Sequence, residues 1–119
     1  MKLINEMDME WFQKPGARLK TKNLLTDHRI GAGILTCGVS AWPYGDAGVL
    51  HTHVATGQDE IYIVLRGSGR LVVNGEEHIL KPGDMFQAVC GEEHAIVEGL
   101  DPNGIEMFYM LVPTGTEET

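Results

Sequence analysis

A chain of 119 residues suits one domain with one hydrophobic core. A formal charge of −8 without any basic cluster argues against nucleic acid or an anionic membrane as partners, because both demand concentrated Lys and Arg. The 15 glycines, several in turn-forming contexts, favour many short strands over a few long helices.

The sequence divides into an N-terminal arm over residues 1–16, a β domain over 17–113 and a flexible acidic tail over 114–119. In the arm, Leu3, Met7 and Trp11 recur every four residues with Ile4 beside them, which predicts about two turns of helix ended by Pro15-Gly16. Arg18 to Leu25 reads as a weak strand and Arg29 to Ser40 as a firmer one, followed by a loop from Trp42 to Gly48. Leu50 to Val54 reads as a strand, and so does the strongly apolar run from Glu60 to Arg66. By alternation, Ile61, Ile63 and Leu65 share one face of that run, and Glu60, Tyr62, Val64 and Arg66 the other. Asn74-Gly75 is a strong hairpin signal between strands at Arg70 to Val73 and Glu76 to Leu80. Short strands follow at Met85 to Val89, His94 to Gly99 and Ile105 to Val112. Turns recurring this regularly between short strands indicate an all-β antiparallel sandwich or barrel.

No segment has the roughly 18 consecutive apolar residues of a membrane span, and no basic region followed by an apolar run marks a leader. Cys37 and Cys90 lie far apart without CxxC spacing, so a reducing, cytoplasmic setting is expected.

His51 and His53 carry the chemistry. One residue apart in an extended segment, they project from the same face about 7 Å apart, which is chelating geometry. Two imidazoles alone hold a metal weakly, so further ligands should come from neighbouring strands; Glu60 and His94 are the candidates, with Gln58 and Asp59 in reserve. His28 and His78 lie off this pattern and read as surface residues. Tyr62 shares a face with Glu60 and could position a bound molecule.

The full spacing is Gly45, five residues, His51, one residue, His53, six residues, Glu60, six residues, Gly67, and a second set runs from Gly83 through Gly91 to His94. This resembles the two motifs of the cupins, double-stranded β-helix (jelly-roll) barrels that bind one metal inside, over roughly Arg29 to Pro113. The resemblance places His51, His53, Glu60 and His94 on the family's four metal-ligand positions and Gly45, Gly67, Gly83 and Gly91 on its turn glycines. Three departures stand out. The gap from His53 to Glu60 is two residues longer than usual, which leaves Gln58 as an alternative ligand; Val89 replaces a proline, and Glu98 an asparagine. Because His94, Ile96 and Glu98 alternate onto one strand face, Glu98 is either a further interior carboxylate, and with Tyr62 a catalytic candidate, or a residue of the solvated rim.

Three imidazoles and one carboxylate suit a single divalent transition metal, with Fe, Mn, Ni, Co and Zn all compatible. The resemblance therefore implies a small metalloenzyme of the dioxygenase, isomerase or lyase type acting on a compact metal-chelating organic molecule. The alternative is a non-catalytic cupin module that binds or senses a small molecule. A homodimer is also expected, because apolar residues on both faces of the Glu60–Arg66 strand need a cover on each side, and so does the stripe of the arm.

Overall fold

The computed structural model describes residues 3–25, 36–54 and 57–114. His28, the first part of the strand expected from Arg29, and the tail beyond Thr114 fall outside the described residues. The strands are β1 (Lys20–Leu25), β2 (Thr36–Trp42), β3 (Gly45–Asp46), β4 (Gln58–Gly67), β5 (Gly69–Val73), β6 (Glu76–Leu80), β7 (Met85–Ala88), β8 (His94–Gly99) and β9 (Ile105–Pro113). They form a five-stranded sheet in the order β1-β2-β9-β4-β7 and a four-stranded sheet in the order β3-β8-β5-β6, every pairing antiparallel. This is the jelly-roll that the turn spacing and the motifs lead one to expect. Among the described residues no helix is long and apolar enough to cross a membrane.

Local chemistry explains the turns. Asn74 and Gly75 both take positive φ, 49° and 85°, as the tight β5–β6 hairpin requires. Gly67 also has positive φ, and a Cβ there would collide with the carbonyl of Gly104, so only glycine lets the β4 and β9 ends approach.

Between the sheets, Val64, Leu71, Leu80, Ile96, Ile105 and Met107 form the apolar core, with Trp42, Ala47, Tyr62, Val73 and Phe86 packed against it. Side chains of this size contribute about 1.5–3 kcal/mol each when fully buried. On β4, Glu60 shares the inward face with Val64 four residues on, so one end of the barrel is plugged by hydrocarbon while the other presents polar groups.

Of three register shifts among the described strands, one lies in β1 between Asn23 and Leu25, and the other two bear on the faces that strict alternation assigns near the site. In β4 the register shifts between Val64 and Arg66, leaving Leu65 as the extra residue. Arg66 consequently turns outward, where it pairs with Glu106 and, at 2.8 Å, with Glu6. In β8 the register slips opposite Arg70 and Leu71, so that Val97 is extra and Glu98 leaves the face it would have shared with Ile96.

The arm departs from the helical expectation. Only Glu6–Asp8 form a 3₁₀ turn, capped by the Asn5 side chain, and the chain then runs extended to a β-bridge between Phe12 and Thr21. It lies on the outer face of its own five-stranded sheet. Lys22 of β1 is 4% exposed there, and its ammonium donates to the Glu6 carbonyl at 2.7 Å and the Glu6 carboxylate at 2.9 Å, 4.5 Å from the Trp11 ring centre. Val39, on the same outer face beside Lys22, is fully buried. A buried lysine without partners would be costly, so the arm and the sheet hold each other through this cation.

The hydrogen bond from Lys22 pulls the Glu6 carboxyl below its ordinary value of 4.5; burial opposes this, and Arg66 reinforces the lowering. A carboxyl with a depressed folded-state pKa contributes stability that is present above the unfolded pKa and lost as pH falls through the folded one. The stability deficit of Glu6→Gln, measured by urea unfolding, is therefore expected to shrink below about pH 4.5. Lys22→Met is expected to cost about 1–3 kcal/mol at neutral pH.

Candidate metal centre

The segment after β3 is held against β8 by backbone bonds from Ala47 to Val97, Gly48 to Ile96, and reciprocally between His51 and His94. It is extended but not a strand: the expected His-x-His strand reduces to one isolated bridge, His51 opposite His94. That bridge is sufficient. Directly opposed residues point to the same side, so both imidazoles enter the barrel with ring centres 4.6 Å apart. His53, two residues on, is fixed by its N–H donating to the Cys90 carbonyl at 3.0 Å, and its ring lies 5.1 Å from that of His94. Glu60 arrives from the other sheet, on the inward face of β4.

One donor atom from each of His51, His53, Glu60 and His94 lies within 4.8 Å of the others. Glu60 Oε1 faces all three rings, 3.4 Å from His94 Nε2, 3.9 Å from His51 Nε2 and in close contact with His53 Nε2. His51 Nδ1 lies 2.8 Å from the Val49 carbonyl, and His94 Nδ1 2.9 Å from that of Glu92. A carbonyl only accepts, so in each ring Nδ1 carries the proton and Nε2 turns its other face to the cluster, the arrangement typical of metal-bound histidine. The donor set and its orientation thus fit one divalent ion.

Glu60 is buried, and burial pushes its carboxyl up, but hydrogen bonds from His94 and Tyr62 and the charges of His53 and His94 outweigh this and hold it below the usual value. His94 is shifted upward, first by its hydrogen bond to Glu60 and against the effect of burial. The cluster is therefore a place that favours positive charge. Tyr62 donates to the second oxygen of Glu60 and is raised well above its ordinary pKa by burial and by the adjacent carboxylate, so it stays protonated and acts as a fixed donor.

A cavity of about 220 Å³ opens beside the cluster. Its walls include Trp42, Tyr62, Phe86 and Met107 from the five-stranded sheet and Leu71 and Ile96 from the other, while His51 is half exposed at the solvent side. At about 30 Å³ per water, this is room for about seven waters, hence for a compact molecule.

The remaining sequence candidates lie elsewhere. Gln58 heads β4 opposite Pro113 and joins neither the cluster nor the cavity lining. Glu98, turned by the β8 bulge, pairs with Arg70 at 3.2 Å and does not line the cavity. Asp59 is buried beside the site without entering it, accepting from the Cys90 N–H at 2.8 Å and from Gln87 at 3.1 Å, and so anchors the loop whose carbonyl holds His53. His78 is on the surface near Glu76. The cavity wall residues Ser40, Trp42 and Phe86 carried no sequence signal, apart from the i, i+2 placement of Ser40 and Trp42 on one strand face.

An antiparallel jelly-roll with three imidazoles and a carboxylate converging inside it defines a class of small β-barrel with a metal-type pocket. A family model described as a cupin domain matches residues 39–103, and the chain belongs to the cupin family. The pectin degradation protein KdgF of Dickeya dadantii is 42% identical over 53 residues, which is 44% of this chain and 46% of that protein. The match thus spans about half of that relative's length. Among solved structures, a predicted oxalate decarboxylase from Thermotoga maritima superposes with a TM-score of 0.81 at 22% identity, covering 94% of this chain and 99% of that one. KdgF from Halomonas sp. gives 0.74 at 21% identity, covering 94% of each chain. At these identities the structural likeness speaks for the fold.

Replacing Tyr62 with Phe frees the second Glu60 oxygen. It is expected to weaken divalent-ion affinity by about 10- to 100-fold, read by competition with a chromophoric chelator.

Proposed function

We propose that this cupin is a metal-dependent enzyme. His51, His53 and His94 would hold one divalent transition metal through Nε2, with Glu60 Oε1 as the oxygen ligand. The carrying observation is that these four donor atoms lie within 4.8 Å of one another at the edge of a cavity whose other walls are largely apolar. A bound ion would polarise a coordinated oxygen or lower the pKa of a coordinated water. The chain's own residues do the rest. Tyr62 keeps Glu60 oriented, the Val49 and Glu92 carbonyls fix two ring tautomers, and the aromatic walls exclude bulk water from whatever the cavity holds. The substrate is a compact organic molecule that chelates through oxygen. The local likeness to a pectin degradation protein supports an oxygen-rich molecule derived from carbohydrate.

Metal analysis of protein purified without chelator tests this reading. One equivalent is expected in the wild type and none in His53→Ala, with circular dichroism unchanged, because the core of the barrel is hydrocarbon rather than metal. Full metal loading of the variant would remove His53 from the site. Unfolding of the variant would make the metal structural and favour the non-catalytic binding module.

The outer face of the five-stranded sheet supports a homodimer. The arm covers β1 and β2, but on the paired strands β4 and β7, Ile63 is 36% exposed and the opposed Met85 68%. Ile61, Phe108 and Met110 continue this face with partial exposure, and Met7 of the arm is exposed as well. A second copy would cover this patch, and a stable interface buries more than about 1,200 Å² in total. Sedimentation velocity at micromolar concentration is expected to give twice the 13.1 kDa chain mass, and Met85→Lys to lower it to one.

A further inference from the structure

Ser40 sits on the inward face of β2, opposite Met107, and both line the cavity that opens beside the histidine cluster. The residue is 6% exposed, and its Oγ is buried with no hydrogen-bond partner among the described residues. A buried hydroxyl left unpaired destabilises a fold, and alanine would fill the same position without that cost. Its neighbours in sequence, Val39 and Ala41, face the other way, against the arm side of the sheet, so neither explains a hydroxyl here.

The pairing places Ser40 relative to the cluster. Glu60 is level with Leu111, and Leu111 with Thr36, so Ser40 stands four residues further along β2, about 13 Å along the strand direction at about 3.3 Å per residue. The space between is walled by Tyr62, Phe86, Trp42 and Met107. Among the described residues no lysine or arginine lines it, so none of them at the Ser40 end would neutralise a carboxylate or phosphate.

We infer that Ser40 is a specificity-determining residue, and that the ligand carries a chelating acid group at one end and an uncharged hydroxyl or carbonyl at the other, which Ser40 Oγ binds. A serine hydroxyl can donate or accept, so either group satisfies it. The inference rests on the metal site proposed above for the chelating end only.

The test uses cobalt-loaded and metal-free protein, wild type and Ser40→Ala, titrated calorimetrically with 2-hydroxy acids of five to seven carbons. Each acid is taken with a terminal methyl, a terminal hydroxyl or a terminal carboxylate. For at least one chain length, the terminal hydroxyl is expected to tighten binding to loaded wild type by about 3- to 10-fold, the usual worth of one neutral hydrogen bond. This preference should vanish in Ser40→Ala, while the methyl-ended acid binds both proteins alike and the diacid binds more weakly than the hydroxyl-ended acid. The metal-free Ser40→Ala protein is expected to melt at or above the wild-type temperature, because it loses an unpaired buried hydroxyl. A merely structural serine would instead lower the midpoint, and that result overturns the inference. So does a hydroxyl preference that is absent from the wild type or persists in the variant. Equal affinity of metal-free and cobalt-loaded wild type would sink the metal reading while the hydroxyl preference still reports on Ser40; no binding of any acid to loaded protein sinks both.

Discussion

The Glu60 carboxylate is the constraint around which the barrel is arranged. It is buried between two sheets, where an ionised group without compensation is far costlier than at the surface. Three rings and a phenol surround it, and each comes from a position that the fold fixes independently: His51 and His53 from the extended segment along β8, His94 from the start of β8, and Tyr62 from the same face of β4. Because Tyr62 occupies one oxygen, the other is committed to the imidazoles. Asp59, on the opposite face of β4, tethers the Cys90 loop and through it His53, so adjacent acidic residues of one strand act on the two sides of the same site.

The two bulges separate the inside of the barrel from its surface charge. Without the slip at Leu65, Arg66 would fall on the inward face next to the Val64 core; with it, the guanidinium joins Glu106 and Glu6 outside and helps to seat the arm. Without the slip at Val97, the Glu98 carboxylate would follow Ile96 into the cavity; with it, Glu98 meets Arg70 on the outside of the four-stranded sheet. Among the described residues the cavity lining holds one carboxylate, Glu60, and no competing acid or base at its apolar end.

These same positions mark where reading the sequence stops. Most strands, the β5–β6 hairpin and the shared face of His51 and His53 follow from local patterns, because turn chemistry and same-face geometry are properties of a few adjacent residues, whereas Glu60 and His94 joined the set through the spacing shared with the cupins. A bulge is decided by pairing with another strand, and neither Leu65 nor Val97 carries a glycine to announce one. The arm failed as a helix for a similar reason: its four-residue apolar spacing is real, but the partner it meets is the Lys22 ammonium, which binds a backbone carbonyl and an indole face rather than an apolar stripe. Ser40 was invisible because Val39 and Ala41 beside it are buried as well, so β2 shows no alternation from which to read an inward polar residue.

Charge balance links the cluster to the apolar cavity beyond it. Glu60 brings one negative charge to the cluster, inside a chain whose formal charge is −8. A field of that sign draws divalent cations toward the barrel and repels free anions. A divalent ion beside Glu60 would leave one net positive charge, which one carboxylate would neutralise. A second carboxylate would stand in the cavity without a counter-charge, in surroundings of low dielectric where such a charge is costly. Among the described residues the lining holds no cationic side chain, and this, rather than its shape, limits how much negative charge a bound molecule could bring.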